Sequence, residues 1–251
     1  MDETIYLTVT ELAEKVGVGE TTVLRFCRRI GFKGYQSFKM ALTKEVAKQS
    51  NESYDDVEEI NATQSIVQKS AAASIQALKE TTTVIDAAEV EKAIDLLVKQ
   101  KRIVIYGSSM SGNTAEDARN KFLRIGIVAE VYTDAHMQTM SAATLTKEDL
   151  AIGISISGST KDTIDALTIA KENGAKILAL THALRSPLAE ISDTVLLTSG
   201  RETPLQGGSM GAKMSQLLVI DVLFNGVASL HKEKAKHYKE QTAKAVVDKA
   251  Y

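Results

Sequence analysis

The 251-residue chain is poor in the residues that would make it disulfide-bonded, zinc-binding or membrane-spanning. It holds one cysteine, Cys27, which excludes an internal disulfide and a zinc site built from several cysteines. It has no Trp and only two prolines, which suits a helix-rich fold with short connections. No apolar run reaches the ~18 residues typical of a membrane span. The acidic start MDETIYLTVTELAEK lacks the basic and apolar regions of a signal peptide. We therefore expect a cytoplasmic protein with no membrane partner.

Charge is nearly balanced over the whole chain but unevenly distributed along it. Thirty Lys and Arg residues oppose 32 Asp and Glu residues, and 44% of the residues are hydrophobic. This composition is that of an ordinary globular protein and argues against a largely disordered chain. Residues 19–48, however, carry a net charge of +5, and residues 51–59 hold five acidic residues and no basic one. The pattern indicates a small basic domain followed by a linker.

From about residue 60 onward, helical patterns alternate with short apolar runs. Helices are predicted over 60–81 and 90–99, near 112–125, 134–143, 160–173 and 186–191, and over 208–230. The apolar runs at 103–106, 127–131, 150–156, 176–180 and 194–197 are typical of buried strands. Five such strands separated by helices predict a doubly wound, parallel α/β sheet of flavodoxin-like order.

Residues 8–30, TVTELAEKVGVGETTVLRFCRRI, have the spacing of a helix-turn-helix. The first helix is expected over 8–16, Gly17 would adopt a positive φ in the turn, and Val18 would fill the core. The second helix would begin at residue 19 or 20 and enter the major groove of DNA. Cys27 falls on its apolar face, where a core role is favoured over a redox role. An ordinary helical hairpin with a solvated basic face is the alternative.

The helix-turn-helix interpretation assigns two kinds of DNA contact. The first residues of the second helix would contact base edges: Glu20, Thr21, Thr22 and Arg25. The basic and polar residues that follow would contact phosphates: Arg28, Arg29, Lys33, Tyr35 and Gln36.

Hydroxyl residues follow two of the predicted strands, in IVIYGSSMSGNTAEDA (103–118) and AIGISISGSTKDT (151–163). Hydroxyl groups and free backbone N–H groups at the start of a helix suit an anion. Neither segment is a P-loop or a dinucleotide-binding fingerprint. The alternative is that these residues only cap helices, but four hydroxyls in residues 155–160 exceed what capping needs.

Two parts of the chain resemble one known family. TELAEKVGVGETTVLRFCRRIGFKGYQSFK resembles the N-terminal domain of RpiR-type bacterial transcription regulators. The two serine-rich loops and ETPLQGGSMGAKMSQLLVIDVLF resemble a SIS (sugar isomerase) domain, a phosphosugar-binding α/β fold. The resemblance implies an all-α helix-turn-helix head at 1–50, a linker and connecting helix at 51–88, a SIS domain at 89–232 and a charged tail at 233–251.

The chain departs from the family at three positions. Members usually carry further helices before the motif, so either the true start lies upstream or the head is shortened, which would expose Leu12, Leu24 and Phe26 and weaken DNA binding. Gly19 stands where the family often has a capping Ser, and Ser109 where it often has a Gly.

The resemblance also implies a ligand site and partners. It places the effector phosphate at Ser109, Ser111, Ser155, Ser157, Ser159 and Thr160, and His136 and Lys213 are further candidate ligand contacts. The expected partners are operator DNA, a phosphorylated sugar or amino sugar, and further copies of the chain in a homodimer or homotetramer. The implied role is control of sugar-catabolic genes, with no cofactor, and repression and activation are both open.

Two enzymatic functions are alternative interpretations. A phosphosugar isomerase with a vestigial head would need a general base and an acid. The candidates are Glu116, His136, His182, Glu202 and Lys213, and none lies in a motif that demands such a role. A sugar-phosphate etherase or lyase would need a positioned acid. The DNA-binding head favours a sensor over either enzyme.

Overall fold

The computed structural model describes residues 4–51, 62–200 and 209–249. The predicted linker at 52–59 and the candidate Glu202 lie outside these residues. The described chain forms a small helical head and an α/β domain. The three helices of the head are α1 (Val9–Lys15), α2 (Glu20–Arg29) and α3 (Tyr35–Asn51).

The head has a small core made by all three helices. Thr8 caps α1, because its side chain accepts from the Glu11 backbone N–H while the Glu11 carboxylate accepts from the Thr8 N–H. Gly17 adopts φ +70° in the turn, as expected. The buried hydrophobic cluster consists of Ala13, Val23, Cys27 and Tyr35.

Val18 was expected to fill this core, and that expectation is wrong. Its side chain is 41% exposed. Phe32, Tyr35 and Phe38 pack there instead, with Phe38 in edge-to-face contact with Phe32. These aromatic side chains complete the cluster around Ala13, Val23 and Cys27, and Val18 lies at the surface.

The α/β domain is a five-stranded parallel sheet with helices on both faces. Two helices lead into it, α4 (Ala62–Val84) and α5 (Ala87–Lys99). The strands are β1 (Arg102–Gly107), β2 (Ala129–Tyr132), β3 (Asp149–Ile154), β4 (Lys176–Thr181) and β5 (Thr194–Leu197). The intervening helices are α6 (Met110–Leu123), α7 (Ala135–Ala142), α8 (Lys161–Glu172) and α9 (Pro187–Ile191). The strand order β2-β1-β3-β4-β5 is the predicted flavodoxin-like order.

Alternate side chains of each strand enter opposite layers of the core. In β1, Ile103 and Ile105 join one buried cluster, and Val104 and Tyr106 join the other. All four are at most 4% exposed. A strand covered on both faces needs apolar residues at every position, which explains its continuous apolar sequence.

The long helix α10 (Met210–Leu230) belongs to this core. By length and composition alone it is apolar enough to cross a membrane. It packs instead against α4, α5 and α6, and Val219, Ile220 and Leu223 are at most 3% exposed. It is followed by α11 (Lys232–Lys244), so the segment expected as a charged tail is largely helical. In α11, Ala235 is buried, and the Tyr238 ring lies where a side chain at Gly126 would clash.

The sheet topology creates a crevice beside β1. The chain moves from β1 to β2 on one side and returns to β3 on the other, so β1 and β3 are adjacent parallel strands. Their last residues, Gly107 and Ile154, are paired. In open α/β sheets, ligands bind at such a reversal of strand order, outside the carboxyl ends of the strands. The two serine-rich loops both begin at this point.

Candidate functional sites

A cavity of about 430 Å³ lies at the carboxyl ends of β1 and β3. Its wall comes from both serine-rich loops, from the segment after β4, and from the head. The lining residues of the α/β domain are Ser108, Ser109, Met110, Ser111, Ser155, Ile156, Ser157, Thr160, His182 and Ala183. Five of the six hydroxyl residues expected to hold a phosphate therefore surround one cavity. Ser159, the sixth, lies in the same loop but is not part of the wall.

The loop after β3 is held in a tight turn around Gly158. This residue adopts φ +61°, and a Cβ there would lie 2.1 Å from Ser186 Oγ, so both conformation and space require glycine. Inside the loop, the Ser155 and Thr160 hydroxyl oxygens are 2.9 Å apart and hydrogen-bonded. The Ser159 hydroxyl donates to the Ser157 backbone carbonyl. The turn thus fixes the hydroxyl groups at the start of α8.

The loop after β1 carries backbone strain. Ser109 has φ 54° and ψ −125°, and it is the only non-glycine with a positive φ in the described residues. An L-residue in this region costs of order 1–3 kcal/mol, and such strain clusters at ligand sites. A glycine would adopt this conformation without strain.

The helices that start at the cavity are not capped by side chains. The N-cap residues of α6 and α8 are Ser109 and Thr160, and neither side chain accepts from its helix. The other α/β helices that follow strands are capped, α7 by Asp134 and α9 by Ser186. The first N–H groups of a helix have no partner within it and carry partial positive charge. Two such termini meet at the cavity, an arrangement suited to an anion, whereas capping does not explain these hydroxyls.

Lys213 lies behind the cavity wall rather than in it. Its ammonium group donates to Thr114 Oγ1 at 3.1 Å and to Asp117 Oδ2 at 2.9 Å. Thr114 Oγ1 in turn donates to Gln216 Oε1 at 2.7 Å, and Gln216 Nε2 donates to Ser111 Oγ at 3.3 Å. This buried chain of bonds connects Lys213 to a lining hydroxyl, so Lys213 orients the wall in this structure.

Two histidines are placed differently from each other. His136, a candidate ligand contact, is exposed on α7 and is not part of the wall. His182 is part of the wall, and its Nδ1 is 2.9 Å from the Thr198 carbonyl oxygen. Because a carbonyl oxygen only accepts, Nδ1 donates this bond, and in the tautomer with its proton on Nδ1 the other ring nitrogen, Nε2, is an acceptor. Such a nitrogen can accept a hydrogen bond from a sugar hydroxyl.

The head closes one side of the cavity. Tyr6, Thr8, Glu11 and Lys39 all line it, and none was predicted as a ligand contact. The head is attached beside the cavity by an ion pair between Glu14 and Arg185 and by a bond from Thr8 Oγ1 to the Arg185 carbonyl oxygen. The sequence carries no local signal for this contact, because the two partners lie more than a hundred residues apart along the chain.

The basic surface formed by α2 and the residues that follow it is open to solvent. Arg25, Arg28, Arg29 and Lys33 are exposed, and none of them forms an ion pair within the described residues. Thr21, Thr22 and Gln36 are exposed as well, and Glu20 is exposed but accepts a hydrogen bond from Thr10. This surface has the charge and the accessibility that contact with phosphates requires.

Tyr35 is the exception among the residues expected at DNA. It is 5% exposed, and its hydroxyl donates to the Leu7 carbonyl oxygen at 2.9 Å. Burial also raises the pKa of its hydroxyl above the ordinary value. In this structure Tyr35 therefore stabilises the head core rather than facing a phosphate.

Models of two protein families match the chain. The helix-turn-helix domain of the rpiR family matches residues 1–49, and the SIS domain matches residues 96–226. An uncharacterized HTH-type transcriptional regulator of Haemophilus influenzae is 39% identical over 96% of this chain and 85% of the relative. The chain belongs to the RpiR family of helix-turn-helix regulators. The Escherichia coli HTH-type transcriptional regulator RpiR is 30% identical over 96% of this chain and 81% of that protein.

A solved structure matches almost the whole chain. The Vibrio vulnificus NanR protein, in complex with ManNAc-6P, superposes with a TM-score of 0.89 at 29% identity. The match covers 99% of this chain and 89% of that one. The match spans both the rpiR-family head and the SIS domain of this chain, so the arrangement of the two domains also occurs in a solved structure.

Proposed function

We propose that this RpiR-family protein is a transcriptional regulator whose SIS domain binds a phosphorylated sugar and thereby changes operator affinity. The observation that carries the proposal is the cavity at β1 and β3, where two uncapped helix termini and five hydroxyl residues converge. A phosphate group matches these donors in charge and geometry. The ManNAc-6P held by the Vibrio NanR protein supports an N-acylated amino-sugar phosphate as the first ligand to try.

The DNA side of the proposal rests on α2 and the residues that follow it. Glu20, Thr21, Thr22 and Arg25 would face base edges, and Arg28, Arg29, Lys33 and Gln36 would position the phosphates. Two heads related by a dyad would bind an operator, so we propose a homodimer or homotetramer. Its bacterial relatives, named as transcriptional regulators, support a cytoplasmic protein acting on genes of carbohydrate catabolism.

We propose a sensor rather than an isomerase. Moving a proton between adjacent carbons of a sugar requires a general base at the substrate. In the described wall of the cavity, the candidate bases are the Glu11 carboxylate, which already accepts a hydrogen bond from the Thr8 N–H, and the His182 ring, whose Nδ1 bonds the Thr198 carbonyl oxygen. The exposed DNA-binding surface of the head is what favours a sensor. The isomerase alternative predicts interconversion when the protein is incubated with aldose and ketose phosphates, and we expect none.

The test of the ligand site is a double substitution, Ser157→Ala with Thr160→Ala. A ligand at about 100 times its dissociation constant adds about 2.7 kcal/mol to the free energy of unfolding, so binding is visible as a thermal shift. We expect the wild-type protein to respond to ManNAc-6P or to another hexosamine phosphate, and the double variant to lose the response.

The matched control removes two hydroxyls far from the cavity, Thr82→Ala with Thr83→Ala on α4. Both side chains are exposed and bond only to carbonyls of their own helix. This control should respond like the wild-type protein. An unchanged response in the Ser157 and Thr160 variant would refute the assigned pocket.

A further inference from the structure

The cavity has an unusual distribution of charge between its two sides. The α/β domain contributes hydroxyl groups, backbone, apolar side chains and His182 to the described wall. The charged side chains of that wall are Lys39 and Glu11, and both belong to the head. A phosphate monoester carries a charge near −2 at neutral pH. Within the described residues, the cation available to a phosphate in the cavity is therefore the head's Lys39.

Lys39 is prepared for such a contact by its surroundings. It lies on α3, is partly buried, and donates one hydrogen bond to the Leu7 carbonyl oxygen at 2.9 Å. Tyr35 donates to the same oxygen, so the ammonium group is anchored against the segment before α1. An ammonium group has three donors, and the bond to Leu7 uses one. Burial lowers the pKa of Lys39, with Glu11 opposing that effect, and an anion beside it would stabilise the charged form.

We infer that Lys39 of the DNA-binding head is a ligand of the effector's phosphate, so that one bound molecule bridges the head and the SIS domain. This inference rests on the proposed function and deepens it. The serine loops supply neutral donors and helix termini, and the head supplies the neutralising charge. Bound effector then holds the head against its own SIS domain through a direct contact, with no relay through the linker required.

The bridging contact has a thermodynamic consequence. If effector binds the docked head more tightly than the undocked head, effector must favour docking by the same factor. A head held over the cavity is restricted in the positions it can take on an operator. Effector and DNA would therefore compete through the position of the head, even though Lys39 is not one of the residues proposed to contact DNA.

The test is Lys39→Met in the full-length protein, which keeps the aliphatic stem and removes the charge. The control is Lys44→Met, because Lys44 lies on the same helix, is exposed, and is not part of the cavity wall. ManNAc-6P, glucosamine 6-phosphate and inorganic phosphate are titrated calorimetrically, and unphosphorylated N-acetylmannosamine is titrated in parallel. We expect Lys39→Met to weaken phosphate-bearing ligands about tenfold or more and Lys44→Met to leave them unchanged. Lys39→Arg should recover part of the lost affinity.

A second measurement separates a bridge from a merely local effect. Sugar phosphate should slow backbone hydrogen exchange in α1 and α3 of the wild-type protein, and this protection should disappear in Lys39→Met. If Lys39→Met binds as tightly as wild type while Ser157→Ala with Thr160→Ala does not, the inference fails and the proposed function stands. If the wild-type protein binds none of the phosphates, both fail.

Discussion

At the scale of single residues, Ser109 combines a strained backbone with a place in the cavity wall. Its φ of 54° would suit a glycine, yet the chain keeps a hydroxyl there that does not cap α6. Strain that persists at a ligand site points to a contact that compensates for it when ligand is bound. The sequence predicted Ser109 as a phosphate contact but gave no sign of the strain, because φ depends on how the whole loop is held between β1 and α6.

Replacing Ser109 by glycine should stabilise the protein. Release of the positive-φ strain gains about 1–3 kcal/mol, and the added freedom of glycine in the unfolded chain costs about 0.5–1 kcal/mol. We therefore expect the free energy of unfolding to rise by about 1 kcal/mol in urea titrations. The matched control is Ser108→Gly in the same loop. Its φ is not positive, so this variant should show only the loss of stability from the added freedom of glycine in the unfolded chain. An equal change in both variants would contradict the strain.

At the scale of elements, helices and strands follow the sequence closely. The predicted strand at 194–197 matches β5, and those at 103–106 and 176–180 fall within one residue of β1 and β4. A strand that is covered on both faces needs a continuous apolar run, so buried strands can be located from the sequence. The prediction at 127–131 begins before the edge strand β2. Ile127 and Val128 are apolar but precede the paired residues, and Val128 is 75% exposed.

The N-terminus of α2 leads to a prediction about the stability of this helix. Gly19 is its N-cap, with an extended backbone and no capping side chain, and a Cβ there would meet nothing within 4 Å. Gly19→Ser should add a cap and remove unfolded-state freedom, which together stabilise the helix by about 0.5–1 kcal/mol. Backbone amides of α2 should then exchange at least about twofold more slowly.

Gly17→Ser is the control for this change, since the two glycines flank the same turn and both have open space. Gly17 differs by its φ of +70°, which L-residues rarely adopt. The control should speed exchange in α1 and α2 by destabilising the turn. If the backbone amides of α2 instead exchanged faster in Gly19→Ser, the missing cap would not be what limits the stability of the helix start.

At the scale of the whole molecule, the contact between head and SIS domain is what the sequence could not predict. Local patterns place the serine loops and the helix-turn-helix separately, and each was assigned its own ligand. Lys39 and Ser157 meet at one cavity only because α1 and α3 dock beside the loop after β4. No periodicity or motif records such a contact between two domains that are distant in the sequence. The two halves of the regulator therefore look independent in sequence, while in the structure they share one site.

The Glu14–Arg185 ion pair tests this shared site without touching the cavity wall. Both side chains are about half exposed, so the pair itself contributes at most about 1 kcal/mol. Arg185→Glu places two carboxylates together and should loosen docking of the head, weakening sugar-phosphate binding up to about fivefold. Combining it with Glu14→Arg restores opposite charges in reversed positions and should recover the wild-type affinity. Lys99→Glu, which disturbs an exposed pair with Asp95 on α5 away from the cavity wall, should change nothing. If Arg185→Glu binds the effector like wild type, or if the charge swap fails to rescue a loss, head docking is not coupled to the ligand.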